Sequence, residues 1–313
     1  MKKEYIILAA IIVVLSAYLV LHREGTAPVD LPVLEDLSQV DLSKIEIAKA
    51  GKTITLERQD GAWVVGADKF PADENQVKAM VTHIKDLKIT ALVSEAENYA
   101  RYDLDDEHKI KVTAYGNGKV LRTFDVGKAA SSYRHTFVRM DKDKRVFHAE
   151  ENFRDALDKS DDDLTDKKVL ACDPEKITGI KADMDKTSYG FERKKEAVPV
   201  ASAEKQDGEK KAPQTLDLWA DASGKEMDKT KITDFIMLFS NLNCDRYIKG
   251  SKKEDFKDPL LHVSLSGDKT LSLSIFNKPD DQEGFPAVSS ETPFPFTLSA
   301  EKVEEIKSKL KGI

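Results

Sequence analysis

Six histidines, two cysteines and 56 acidic residues are the groups in this 313-residue chain that could ligate a metal, attack a carbonyl or move a proton. His22, His83, His108, His135, His148 and His262 show no paired metal-ligand spacing such as H-E-x-x-H. Each therefore reads as an exposed or hydrogen-bonded residue. Cys172 lacks a local Cys/His signature for a nucleophile. Cys172 and Cys244 are too few for a disulfide scaffold, but an even pair in an exported body is compatible with one bridge. The acidic run Ser160–Asp166 (SDDDLTD) lacks the D-x-[DN]-x-[DN]-G order of a calcium loop and reads as a solvated hinge. G-x-S-x-G, G-x-x-x-x-G-K-[ST] and G-x-G-x-x-G are all absent. No residue is assigned a catalytic, cofactor-binding or metal role, and the expectation is a protein that is not an enzyme.

The elements that must position these groups begin with Tyr5–Leu21, seventeen residues without a charge, between Lys2-Lys3-Glu4 and His22-Arg23-Glu24. The run is at the short end for a transmembrane helix. It is longer than a usual signal core and has no A-x-A-like site after it, which favours an uncleaved anchor over a cleaved signal peptide. Lys2 and Lys3 place the amino terminus in the cytoplasm and the body outside. The net charge of −7, with both signs interspersed, excludes a nucleic-acid surface.

The body reads as one module written twice. Asp73 opens an amphipathic helix with apolar Val77, Met80, Val81, Ile84 and Leu87; Asp228 opens another with Ile232, Phe235, Ile236, Phe239 and Leu242, each position 155 residues after its counterpart. Period-two hairpins follow at Ile110–Val126 and Leu261–Phe276. A strand and a helix close each copy, at Thr136–Arg139 with Arg145–Leu157 and within Phe294–Leu310. The expected fold class is α+β: a transmembrane helix, then two tandem antiparallel sheets packed with amphipathic helices. The segments are 1–24 anchor, 25–38 linker, 39–160 first module, 161–172 acidic hinge and 173–313 second module. Residues 196–214, rich in Ala, Lys, Glu and Pro, read as a flexible insertion.

Gly61-Ala62-Trp63, Phe70-Pro71-Ala72-Asp73, Tyr102-Asp103-Leu104-Asp105, Asp125-Val126-Gly127-Lys128, Phe137-Val138-Arg139 and Asp163-Leu164-Thr165-Asp166-Lys167 before Cys172-Asp173 occur in this order. Their order resembles the DUF4340 family of uncharacterised bacterial proteins, whose members usually carry Gly at the position of Asp103. The resemblance implies a context similar to gliding-motility and ABC-transporter auxiliary components, and assigns no catalytic residue. The expected function is a single-pass, extracytoplasmic accessory or scaffold subunit of a transporter-like assembly at the bacterial cytoplasmic membrane. Its expected partners are the bilayer, through residues 5–21, and an integral membrane protein such as a permease. A glycan- or lipid-binding module and, behind it, an envelope hydrolase are the alternatives.

Overall fold

In the computed structural model the described residues are 3–21, 30–197, 215–279 and 283–313. The chain forms two compact units, Met1–Trp63 with Glu74–Asp161, and Val64–Asp73 with Asp162–Ile313. Helix α1 (Lys3–Leu21) precedes both sheets.

The first sheet is built from β1 (Lys44–Lys49), β2 (Lys52–Gln59), β3 (Ala62–Val65), β4 (Phe70–Pro71), β5 (Ile89–Ser94), β6 (Ile110–Gly116), β7 (Lys119–Ala129), β8 (His135–Met140) and β9 (Val146–Glu150). Their order across the sheet is β4-β3-β2-β1-β6-β7-β8-β9-β5. Helix α2 (Glu74–Lys85) lies between β4 and β5 in sequence, and the one-turn α3 (Arg154–Leu157) follows β9. Period-two alternation sends Ile45, Ile47, Val112, Ala114, Phe124, Val126 and Val138 to the buried face, where Val77, Met80 and Ile84 of α2 are also buried. Burying a large apolar side chain such as Phe124 or Phe147 contributes about 1.5–3 kcal/mol. Asn117-Gly118 closes the β6–β7 hairpin with φ of 50° and 73°, the left-handed pair that a two-residue turn needs to match strand twist.

The chain from Asp162 onward carries β10 (Lys168–Leu170), β11 (Gly179–Met184), β12 (Thr187–Ala197), β13 (Thr215–Asp221), β14 (Glu226–Met227), α4 (Lys229–Met237), β15 (Leu242–Asn243), β16 (Arg246–Tyr247), β17 (Leu261–Ser266), β18 (Thr270–Ile275), β19 (Phe285–Ser289), β20 (Phe296–Leu298) and α5 (Ala300–Gly312). Nine of these strands form a sheet in the order β14-β13-β12-β11-β17-β18-β19-β20-β16, strand for strand the connectivity of the first. Strands β10 and β15 pair separately. Asp228 caps α4 by accepting hydrogen bonds from the amides of Thr230 and Lys231.

Several expectations are corrected here. The fold is dominated by antiparallel sheet with few helices, so the α+β reading does not hold. Residues 145–157 are not one helix: Val146–Glu150 is strand β9, paired with β8 on one side and β5 on the other, and only four residues form α3. Tertiary pairing overrides the local helical pattern there. Helix α4 stops at Met237, so Phe239 and Leu242 are buried in the segment after it and in β15.

Among the described residues no helix is long and apolar enough to cross a membrane. The reading of residues 5–21, within α1 (Lys3–Leu21), as a transmembrane anchor is corrected accordingly. The acidic hinge is instead folded structure. Leu164, Thr165, Val169 and Leu170 are buried, Thr165 bridges Ala72, and the Asp73 amide donates to the Leu164 carbonyl at 2.8 Å. Of the linker, residues 30–38 are described, and Leu37 is buried at 1% exposure. In the proposed insertion Glu196 and Ala197 are strand, and 198–214 lie outside the described residues.

Candidate functional site

Antiparallel pairing turns one face of the first sheet toward polar and aromatic side chains. A 3-10 turn, Tyr99–Tyr102, leads to Asp103 in the left-handed region at φ 55°. Asp103 thus holds the backbone conformation that glycine adopts most readily. Next comes Leu104, buried at 1% exposure. The turn seats on Gly127 of β7: a Cβ there would lie 2.2 Å from the Tyr102 carbonyl oxygen, so only glycine fits. Two of the sequence motifs, Tyr102–Asp105 and Asp125–Lys128, therefore meet in space.

Beside that contact Asp125 stands opposite Arg139 on adjacent strands. The Arg139 Nε and Nη2 donate to Asp125 Oδ2 at 3.1 and 2.5 Å. The same guanidinium lies 4.4 Å from the Tyr99 ring centre, and the Tyr99 hydroxyl donates to the Lys144 carbonyl at 3.0 Å. From Tyr102 a row of rings runs across β8 and β9. Tyr102 to Phe137 is 4.9 Å between ring centres, Phe137 to His148 is 4.9 Å, and His148 to His135 is 5.2 Å. Burial holds the His148 pKa below its ordinary value, and the neighbouring His135 adds to the effect.

Asp105, Glu107 and His108 bring ligand-type atoms within 4.8 Å of one another at the end of the turn. His108 Nδ1 lies 2.8 Å from Asp105 Oδ1. That hydrogen bond raises the His108 pKa and lowers that of Asp105.

The second unit serves as an internal control. Matching register puts Ser274 where the first unit has Asp125, Val288 for Arg139, Pro286 for Phe137, Thr297 for His148 and Gly284 for His135. The same connectivity thus stands without the charged pair or the histidines. These residues are not demands of the sheet, which makes them candidates for binding.

The remaining candidates are structural. His83 lies 3.5 Å from Glu151 and stacks on Phe153, and His262 Nδ1 is 2.8 Å from Ser274 Oγ. Cys172 and Cys244 are free thiols, not a bridge. The Cys172 amide donates to the Phe239 carbonyl and the Cys244 amide to the Lys167 carbonyl, so they occupy opposite ends of the β10–β15 ladder. Five positions of largely extended chain, from Lys167 to Cys172, separate them, about 15 Å, against the roughly 7 Å limit for a disulfide. Burial pushes the Cys172 thiol up to about 11 and the Cys244 thiol up to about 12, so both are protonated and poor nucleophiles near neutral pH.

Sequence reasoning quoted Asp125 and Arg139 within motifs but did not pair them. It also treated His135 and His148 singly and passed over Tyr99. Cross-strand register is the signal that joins these residues, and it is fixed only when β7, β8 and β9 align.

The architecture defines a tandem duplication of nine-stranded antiparallel sheets, with a polar and aromatic face on the first copy. A family model described as "Domain of unknown function (DUF4340)" matches residues 63–260, more than half of the chain, and the protein belongs to that family. Neither curated proteins nor solved structures provide a match.

Proposed function

We propose that this protein works by contact rather than turnover, as an extracytoplasmic accessory or scaffold subunit of a transporter-like assembly at the bacterial cytoplasmic membrane. One observation carries the reading: α1 exposes apolar side chains around its whole circumference. Tyr5, Ile7, Val13, Val14 and Tyr18 are 66, 60, 65, 67 and 58% exposed, and Leu8, Ile11, Ile12 and Leu15, which fill the sector between Tyr18 and Tyr5, are 54, 51, 54 and 56% exposed. At about 100° per residue these positions leave no polar face, and such a helix is stable only in apolar surroundings. Lipid, together with the apolar surface of an integral membrane partner such as a permease, supplies them. Crosslinking in intact cells, then purification in detergent, tests the reading. The full chain is expected to recover an integral membrane protein, and a chain lacking residues 1–24 is expected to lose it. Equal recovery by both chains, or recovery of soluble partners alone, overturns it.

A second reading, a ligand-binding module, is favoured by the face that carries Arg139, Asp125 and the ring row, which the second unit lacks.

A further inference from the structure

We propose that His135 and His148 form a binding site for a divalent transition-metal ion of the zinc type. The two side chains sit on adjacent antiparallel strands. Phe137 stands directly opposite His148, and His135 directly opposite Glu150, so the histidines are diagonal neighbours on one face. Their ring centres are 5.2 Å apart. Two imidazoles sharing one tetrahedral ion keep their ring centres about 5 Å apart, since the metal–nitrogen bond is about 2.0–2.1 Å and each nitrogen lies about 1.1 Å from its ring centre. The centre-to-centre spacing already matches; the rings, at 23° to each other, must turn to aim one nitrogen each at a shared ion. The torsion about Cβ–Cγ that turns them is broad in histidine.

Glu150 stands directly opposite His135 on the same face and supplies the third candidate ligand. Glu150 now pairs with Lys88 at 3.0 Å, both side chains more than half exposed. An exposed ion pair of this kind contributes little and yields readily to a metal. Water completes a four-coordinate set. The fold itself has no need of the pair, since Gly284 and Thr297 occupy the matching positions of the second unit.

The test uses the full chain in detergent, stripped with a chelator and titrated with Zn2+ by calorimetry, with histidine ring signals followed by NMR. One equivalent is expected to bind, shifting the His135 and His148 rings together. His135→Gln and His148→Gln are each expected to weaken binding at least about tenfold. His108→Gln is expected to leave it unchanged. Absence of binding overturns the proposal. So does binding that survives His135→Gln and disappears in His108→Gln, which would place the ion at Asp105, Glu107 and His108. Should His148→Gln fail to fold, the half-exposed His135→Gln decides alone.

Discussion

At the residue scale, the charged and aromatic face of the first sheet carries groups whose ionisation the fold has altered. Because His148 has a depressed pKa, the unfolded chain binds more protons than the folded one as pH falls through about 6.5. Its contribution therefore destabilises the fold in acid and vanishes above that range. His108 acts in the opposite sense: its raised pKa stabilises the fold below the ordinary histidine value, and that stability is lost as pH rises through the folded pKa. Comparing wild type with His148→Thr cancels the His108 effect, because both chains retain it. In chelator, thermal unfolding at pH 7.5 and 5.5 is expected to show a smaller acid loss in the variant. Equal losses would show that the burial of His148 does not penalise its charge.

At the element scale, α2 is held at its carboxyl end by one side chain. Arg122 of β7 is 6% exposed and donates to the backbone carbonyls of Ile84, Lys85 and Glu35. It satisfies the last helical carbonyls, places a cation at the negative end of the helix dipole, and ties the segment before β1 to the sheet. Leu271 holds the matching position of β18, so the second copy uses apolar packing instead. Arg122→Leu leaves buried carbonyls without a donor and is expected to cost about 2–4 kcal/mol. Urea unfolding measures this, and a loss below about 0.5 kcal/mol would mean that solvent reaches those carbonyls. The helices themselves were legible in the sequence. Of the first stripe, Val77, Met80, Ile84 and Leu87 are buried, while Val81 is half-buried. All five apolar positions of the second are buried. Their ends were not legible, because an apolar residue at helical spacing serves equally well in the strand that follows, as Leu242 does in β15.

At the scale of the whole molecule, two sheets of identical connectivity each have their own buried residues. A lesion in one core is therefore expected to stay in that unit. Phe235 is fully buried in α4, and Phe235→Ala is expected to cost about 3–5 kcal/mol. Hydrogen exchange should then accelerate within 162–313 while 74–161 keeps its protection. Loss of protection throughout would show that the units unfold as one.

The amino-acid sequence by itself determined the duplication, the hairpins and the two helix faces, because period-two and period-3.6 patterns and Asn-Gly turns act over a few residues. Only the tertiary structure decided that β9 is a strand and that the acidic run is packed. It also placed the two cysteines at opposite ends of one ladder. It alone brought Asp125 to Arg139 and His135 to His148. Those outcomes depend on which strands lie side by side and in what register, and that is settled by contacts far apart in the chain.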